Sequence, residues 1–85
     1  MNRIRYSPKA VKQLTKLQNH EAIKIRDACN SLSDMPNCRN VKALTGHQHG
    51  YRLRVGSYRV FFNFDGEVRI VSIEEVKKRD EQTYR

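Results

Sequence analysis

The spacing of apolar residues along this chain changes from helical to strand-like about halfway through. In the first half, Val11, Leu14 and Leu17 recur at three-residue intervals, and a second such series runs from Ala22 to Leu32. In the second half, apolar and polar residues alternate, and many of the apolar ones are β-branched or aromatic. The first spacing predicts two helices and the second predicts strands. The order of the elements therefore indicates an α+β domain.

The residues that flank the helical series predict where each helix begins and ends. Ser7-Pro8 combines a side-chain acceptor at the N-cap with proline at the first helical position. The pattern restarts near Asn19-His20 and stops before Met35-Pro36. We expect a helical hairpin whose apolar faces cover a sheet. The alternating residues 2–6 predict an opening strand ahead of it.

The segment from residue 51 to residue 62 predicts a tight β-hairpin. Only Gly56-Ser57 separates its two alternating runs, which suits a type II′ turn with glycine first. Counting outward from this turn places Arg54 opposite Arg59, and Arg52 opposite Phe61. Because side chains alternate, the three arginines share one face of the hairpin. The other face then carries Tyr51, Leu53, Val55, Tyr58, Val60 and Phe62.

The three arginines on one face predict a phosphate-binding surface. Arg54 opposite Arg59 is a like-charge cross-strand pair. Such a pair destabilises the fold by an amount on the order of several tenths of a kcal/mol unless an anion lies between the two side chains. Guanidinium groups also suit bidentate contacts to phosphate. The alternative interpretation is an arginine face that is merely solvated.

A second hairpin is predicted at Asp65-Gly66, which is a strong type I′ turn signal. Counting across a two-residue turn places Arg59 opposite Ser72, and Phe61 opposite Ile70. On this register the arginine face continues into a hydroxyl and then an apolar patch. The chain beyond Ile73 is interpreted as a polar tail that begins beside the arginines.

The charge of the whole chain agrees with an anionic partner. Seventeen Lys and Arg against nine Asp and Glu give a net charge of +8 in 85 residues. Such a surface attracts nucleic acid, although an acidic protein would be attracted as well. The length predicts a single domain over residues 1–85. Without a membrane-length apolar run or a signal-peptide core, we expect a cytoplasmic protein with no membrane partner.

The cysteines and histidines give no recognised metal-binding pattern. Cys29 and Cys38 are expected to be free thiols. A zinc site built from Cys38, His47 and His49 would lack a Cys-x-x-Cys pair and would take two ligands from one glycine-containing loop. We therefore expect neither a metal nor another cofactor. His47 and His49 are interpreted as polar loop residues, because nothing in the spacing brings them to the arginines; a catalytic role is the alternative.

Over essentially its whole length, the chain resembles the RelE/ParE superfamily of bacterial toxin–antitoxin toxins. The resemblance rests on Ser7-Pro8, the segment 40–44, the hairpin YRLRVGSYRV, and Lys77-Lys78-Arg79 ahead of Tyr84. It implies a small antiparallel sheet with a helical hairpin on one side. The RelE branch implies an endoribonuclease that lies against 16S rRNA and cuts the messenger RNA codon in the ribosomal A site. It also implies an antitoxin that wraps the toxin and holds it inactive.

The resemblance also implies which residues act. Cleavage of RNA by its own 2′-hydroxyl needs a base, a group that stabilises the charge of the phosphorane, and an acid. The arginines supply the charge, and Tyr84 can stack on a base. RelE-like enzymes carry lysines at the positions of Arg52 and Arg54, and arginine does not deprotonate, so Lys78 is the expected proton carrier. The implied catalytic residues are Arg52, Arg54, Arg59, Lys78, Arg79 and Tyr84, and the implied RNA-binding residues are Lys42, Arg52, Arg54, Lys77 and Lys78.

Two other functions remain open at this point. ParE-like members of the superfamily inhibit DNA gyrase without cleaving nucleic acid, but they usually lack the combination of hairpin arginines and a C-terminal tyrosine. A basic module that binds RNA without cleaving it is the third interpretation. For a toxin we expect an acidic antitoxin with a segment that folds on binding, and DNA contact only through the antitoxin complex.

Overall fold

A five-stranded sheet carries the helices of this chain on one face. The computed structural model describes residues 1–79, and the α+β class predicted from the sequence is confirmed. The strands lie side by side in the order β1-β5-β4-β3-β2. The elements are β1 (Arg3–Tyr6), α1 (Pro8–Thr15), α2 (Asn19–Asn30), a 3-10 helix (Ser31–Asp34), β2 (Val41–Ala43), β3 (Tyr51–Val55), β4 (Tyr58–Asp65) and β5 (Ile70–Lys78).

The strand β1 makes the sheet mixed rather than purely antiparallel. It pairs with β5 in parallel, with Arg3 opposite Ile70 and Tyr6 opposite Ile73, whereas all other neighbours are antiparallel. The expected antiparallel sheet is therefore correct for β2 to β5 only. The parallel pair follows from connectivity, because the two helices carry the chain from β1 to the opposite edge of the sheet before β5 returns to it.

The hairpin of β3 and β4 has the predicted register. Arg54 lies opposite Arg59, and Arg52 lies opposite Phe61. Gly56 has φ +57°, as the first position of a type II′ turn requires. On the helix side of this hairpin, Leu53, Val60 and Phe62 are almost completely buried. Their burial against the helices fixes the register, because a one-residue slip would expose all three.

The helix α1 begins as predicted but buries a different face. The Ser7 hydroxyl accepts the backbone N–H of Ala10 at 3.0 Å, which completes the N-cap. Ala10 and Leu14 are buried, whereas Val11 is 47% exposed, so the prediction that Val11 is a core residue was wrong. In α2 and the 3-10 helix, Ile25, Cys29 and Leu32 are fully buried.

The edge of β5 that continues beyond β1 is covered by α1. The Ser7 hydroxyl donates to the carbonyl oxygen of Glu74 at 2.8 Å, and the backbone N–H of Val76 donates to Gln13 Oε1 at 2.6 Å. These bonds occupy backbone groups that an exposed edge strand would leave unpaired. They also determine the rotation of α1, because Ser7, Ala10 and Gln13 lie on one side of it.

The connection between β4 and β5 differs from the predicted two-residue turn. Asp65 lies opposite Ile70, which leaves the four residues 66–69 as the loop. The Asp65 carboxylate accepts the backbone N–H groups of Glu67 and Val68, at 3.0 and 3.4 Å, and Arg69 has φ +58°. The prediction of a type I′ turn was wrong because the aspartate side chain closes a wider turn of its own.

A β-bulge at Glu74 changes the register once more. Phe62 lies opposite Ile73 and Phe61 lies opposite Glu75, so Glu74 has no partner on β4. The four-residue loop and the bulge together make the expected pairs of Arg59 with Ser72 and of Phe61 with Ile70 wrong, since Arg59 lies opposite Lys77 and Phe61 opposite Glu75. The chain beyond Ile73 is strand rather than a polar tail. The bulge inverts the alternation, so that Val76 enters the core while Glu75 lies on the other face.

Two further expectations concern thiols and membranes. Cys29 and Cys38 are both free thiols, as predicted. Burial raises the pKa of Cys29 to about 11, so its reactive thiolate form is suppressed. Within residues 1–79, no helix has both the length and the apolar character needed to cross a membrane.

Deletion of Glu74 tests the role of the bulge. We expect the deletion variant to keep a cooperative unfolding transition, because the ladder then continues regularly from Ile73 to Glu75 and Val76 still faces the core. We also expect it to melt at a lower temperature, because the Glu74 carbonyl that accepts the Ser7 hydroxyl is lost. Glu74→Ala is the matched control, since it keeps the residue count and the carbonyl that Ser7 contacts. Thermal unfolding monitored by circular dichroism measures both. A deletion variant as stable as Glu74→Ala would contradict this account.

Candidate functional site

The face of the sheet opposite the helices carries a concentration of positive charge. We call it the cationic face, and it is formed by the side chains that alternate with the core residues of β2 to β5. Lys42 lies opposite Arg52, which lies opposite Phe61, and Phe61 lies opposite Glu75. Two residues farther along each strand, a second row crosses β3, β4 and β5. Its members are Arg54, Arg59 and Lys77, which we call the arginine–lysine row.

The arginine–lysine row brings three cations together on adjacent strands. Neighbouring strands are about 4.8 Å apart, so the backbone positions of Arg54 and Lys77 are roughly 10 Å apart. Arg54 is exposed, Arg59 is half-buried, and the Lys77 side chain is 63% exposed. The row is thus open to solvent. Each of its cross-strand pairs is a like-charge pair, which an anion bound between them would stabilise.

Glu75 is a buried carboxylate on the cationic face, and sequence reasoning did not identify it. The residue is 8% exposed. Its Oε1 lies 3.3 Å from Lys9 Nζ and 3.9 Å from His49 Nε2, and its Oε2 lies 3.3 Å from Lys77 Nζ. Burial alone would raise the pKa of Glu75, but the hydrogen bonds and charges of Lys77 and Lys9 outweigh it and lower this pKa below its usual range. Glu75 therefore remains ionised at neutral pH.

The loop between β2 and β3 folds over the centre of the cationic face. His47 stacks on Phe61, with ring centroids 4.9 Å apart and an interplanar angle of 14°, and the His49 ring lies 6.3 Å from the same ring. Phe61 is consequently only 8% exposed. The structure thus brings both histidines onto Phe61, the cross-strand partner of Arg52, a position that nothing in their spacing indicated. The apolar patch expected next to the arginines is this covered phenylalanine.

Hydrogen bonds hold both ends of this loop. The backbone N–H of Leu44 donates to the carbonyl of Gly50 at 2.8 Å, and the backbone N–H of Gly50 donates to Asn63 Oδ1 at 2.7 Å. Within the loop, the backbone N–H of His49 donates to His47 Nδ1 at 3.0 Å. A neutral His47 therefore carries its proton on Nε2. No local sequence pattern predicts the position of this loop, because Asn63 and Phe61, which hold it, are distant from it in sequence.

The remaining predicted residues lie elsewhere. Lys78 is opposite Tyr58, in line with the core-facing positions of the strands, so the structure places Lys77 rather than Lys78 beside Arg59. The backbone N–H of Arg79 donates to the carbonyl of Ser57 at 2.7 Å, next to the turn of the first hairpin. Tyr84 lies outside the described residues. The functional roles of Lys78, Arg79 and Tyr84 therefore remain predictions.

The residues that were weighed as zinc ligands do not form one site. The Cys38 thiol donates to the carbonyl of Ser31 at 3.3 Å, whereas His47 and His49 contact Phe61. In residues 1–79, no three histidine, cysteine or acidic side chains gather in a group that could hold a metal ion.

Arg59→Gln tests whether the arginine–lysine row is electrostatically strained. We expect the substitution to increase the free energy of unfolding by about 0.2–1 kcal/mol, because Arg59 lies between two other cations. Urea denaturation in a low-salt buffer without phosphate measures the change. Arg39→Gln, at an exposed residue outside the face, is the control for loss of one positive charge. Destabilisation by Arg59→Gln alone would show that the pairs are not repulsive.

Glu75→Gln tests the ion pairs at the buried carboxylate. Because the pKa of Glu75 is lowered in the folded state, its contribution is present above the unfolded-state pKa and is lost as pH falls through the folded-state pKa. We therefore expect the variant to have a lower melting temperature than the wild type at pH 7, and the difference to close at acid pH, below the usual carboxyl range. A difference that does not change with pH would mean that packing, rather than charge, makes Glu75 stabilising.

Comparisons with known proteins give a family and a fold. A family model described as the ParE toxin of type II toxin–antitoxin system, parDE, matches residues 4–83. A search of curated protein sequences returned no significant match. The RelE–RelB complex from the archaeon Pyrococcus horikoshii OT3 is a structural neighbour with a TM-score of 0.79 and 25% sequence identity, over 94% of this chain and 97% of that one.

Two further solved structures show the same fold. The isolated RelE toxin of E. coli has a TM-score of 0.79 at 17% identity, over 99% of this chain and 92% of that one. The toxin–antitoxin complex RelBE2 of Mycobacterium tuberculosis has a TM-score of 0.77 at 22% identity, over 92% of this chain and 98% of that one. The family match extends over nearly the whole chain. This protein therefore belongs to the ParE toxin family of type II toxin–antitoxin systems, within the RelE/ParE superfamily.

Proposed function

We propose that this toxin is an endoribonuclease that cleaves messenger RNA in the ribosomal A site and thereby blocks translation. The observation that carries the proposal is the arginine–lysine row, in which three cations on adjacent strands face solvent together. The fold shared with RelE structures is consistent with it. The action is assigned to the cytoplasm, where ribosomes translate messenger RNA.

The row suits the charge that develops during RNA cleavage. When a 2′-hydroxyl attacks the neighbouring phosphodiester, the phosphorane gains negative charge on its non-bridging oxygens. Rigidly placed cations that meet this charge lower the barrier, because they need no reorganisation during the reaction. Arg54 and Arg59 are placed by a short hairpin whose other face is core, so their backbone positions are fixed. This rigidity favours a catalytic role over a loose electrostatic one.

The rest of the cationic face extends the contact to a longer stretch of RNA. Lys42 and Arg52 lie on the adjoining row, and we assign them contacts to phosphates that flank the cleaved one. Lys78, the last residue of β5, and Arg79, which follows it, keep their proposed contacts to RNA. Tyr84 keeps its proposed role of stacking on a base. Contact with 16S rRNA would follow from the same positive charge.

A cognate antitoxin is proposed as the second partner. The solved structures from P. horikoshii and M. tuberculosis contain toxin–antitoxin complexes. For this chain, with its charge of +8, we propose an acidic antitoxin segment that folds on the toxin and neutralises the cationic face. DNA binding by the complex would then belong to the antitoxin.

Inhibition of DNA gyrase is the second candidate function. It is favoured by one observation, namely that the matching family model describes the ParE toxin. A gyrase inhibitor needs a surface that binds the enzyme but needs no charge aimed at a reacting phosphate. The two candidates therefore differ in whether the protein cleaves RNA and in whether the loss of a single arginine slows that cleavage.

Primer extension on messenger RNA, with and without ribosomes, separates the candidates. We expect the wild type to cut within codons only when ribosomes are present. We expect Arg59→Gln to slow cleavage by about 10²–10³-fold, because one group that stabilises the transition state is lost. Arg39→Gln is the control and should cut at the wild-type rate. Absence of cuts under both conditions, together with inhibition of DNA supercoiling by gyrase, would replace the nuclease with the second candidate.

A further inference from the structure

The proposed reaction needs a group that accepts the proton of the 2′-hydroxyl, and the arginines cannot provide it. Arginine remains protonated at any accessible pH. Lys77, the third member of the arginine–lysine row, forms an ion pair with the Glu75 carboxylate, with Nζ 3.3 Å from Oε2, so its nitrogen is engaged as a donor. Lys78, the proton carrier expected from the sequence, lies opposite Tyr58 and in line with the core-facing positions, so the proton acceptor is sought among the other residues of the cationic face. His49 and Glu75 are the two described residues that meet there with the required chemistry.

The Glu75 carboxylate lies close to His49 and can fix the position of its imidazole ring. His49 Nε2 lies 3.9 Å from Glu75 Oε1, and the side chains are only 11% and 10% exposed. Two lysines hold the carboxylate from other directions, Lys9 from α1 and Lys77 from β5. The negative charge of the ionised carboxylate, 3.9 Å from His49 Nε2, favours the tautomer that carries its proton on that nitrogen. The lone pair of neutral His49 is then on Nδ1.

Two polar atoms at this place have no partner. Among the described residues, His49 Nδ1 and Arg52 Nε are the buried side-chain nitrogen or oxygen atoms without a hydrogen bond. Both belong to residues that adjoin Phe61, one by ring contact and one by register. A buried polar group that lacks a hydrogen-bond partner destabilises the folded protein. Two such atoms beside one ring therefore indicate a ligand that supplies a donor to the first and an acceptor to the second.

RNA offers that combination at every internal nucleotide, in the 2′-hydroxyl and the adjacent phosphate. We propose that His49 Nδ1 receives the 2′-hydroxyl of the cleaved nucleotide, that Arg52 binds a phosphate oxygen next to it, and that Glu75 positions the His49 ring. This inference rests on the endoribonuclease function proposed above. His49 is then the catalytic base, and Glu75 acts through it as a positioning residue.

The chemical step balances with these groups. The 2′-hydroxyl gives its proton to His49 Nδ1 while the 2′-oxygen forms a bond to phosphorus. The bond between phosphorus and the 5′-oxygen breaks with its electron pair, and the 5′-oxygen takes a proton from water. The products are a 2′,3′-cyclic phosphate and a free 5′-hydroxyl. Imidazolium formed on His49 returns its proton to solvent, so the protein is unchanged after each turnover.

Contact with RNA requires the tip of the loop to shift, because both atoms are shielded from solvent. The two ends of the loop are held by the hydrogen bonds of Leu44 and Gly50, and Glu75 holds the His49 ring, so the movement is confined to residues 45–48. Catalytic hydrogen bonds are often incomplete without substrate and tighten when it binds. The stacking of His47 on Phe61 is the main contact that this shift would break.

Single-turnover cleavage of messenger RNA on programmed ribosomes tests the proposal. We expect His49→Gln to slow cleavage by about 10²–10⁴-fold, the usual effect of removing a general base. Binding to the ribosome should be unchanged. His20→Gln is the matched control, since His20 is an exposed histidine on α2, away from the face, and it should cleave at the wild-type rate. In a separate multiple-turnover assay on the same ribosomes, Glu75→Gln should lower kcat with little change in KM.

Imidazole rescue separates chemistry from folding. We expect added imidazole to restore part of the activity of His49→Ala, which happens only if the remainder of the site is folded and lacks the base. Circular dichroism of each variant accompanies the kinetics. Equal rates for wild type and His49→Gln would overturn the role of His49 while leaving the nuclease function intact. A slow His49→Ala variant that imidazole does not restore would make His49 structural and would also overturn it. A wild type that cuts no RNA would overturn the proposed function itself, and the role of His49 with it.

Discussion

The composition of the cationic face depends on one residue of β5, Glu74, that bulges out of the strand pairing. Because Glu74 bulges out of the ladder, Val76 enters the core while Glu75 and Lys77 lie beside Phe61 and Arg59. If Glu74 were paired in the ladder instead, the part of β5 that follows it would present the opposite set of side chains to each face. The bulge is held from the side by α1, whose Ser7 hydroxyl bonds the Glu74 carbonyl. A packing requirement and a functional requirement are thus met by the same local irregularity.

The cationic face combines a destabilising arrangement with a device that limits its cost. Arg54, Arg59 and Lys77 repel one another, and a sequence selected for stability alone would not place them in one row. Glu75 offsets part of this repulsion, since it binds Lys77 and also ties Lys9 of α1 to the sheet. The carboxylate is buried beneath the loop, so it stabilises the protein without neutralising the exposed arginines. Such a division between a stabilising interior and a strained surface is common at binding sites.

The sequence allowed the first hairpin to be predicted in full, because a two-residue turn leaves no freedom in the register. From this turn follow the shared face of Arg52, Arg54 and Arg59 and the burial of the residues between them. The second hairpin could not be predicted in this way. The side chain of Asp65 closes a wider loop, and the bulge is decided by packing of Val76 and by α1, which are tertiary contacts. The error in register placed Lys77 and Glu75 away from the arginines, whereas Lys78 was chosen from the family resemblance and not from the register. The position of the histidines depends on Asn63 and Phe61, which are distant in sequence, so no local pattern predicted it.

The parallel pairing of β1 with β5 has a consequence for the order in which the protein becomes competent. The hairpin of β3 and β4 is local and can form early, whereas the contact between Arg3 and Ile70 joins segments from opposite ends of the described chain. Two of the arginines are therefore brought together at the start of folding, but Lys77 and Glu75 join them only when β5 docks between β4 and β1. An incompletely folded chain carries the positive charges that attract RNA, but it does not yet hold them in the arrangement of the complete sheet. Toxicity of the kind proposed here would thus be a property of the finished sheet, acquired in the last folding step.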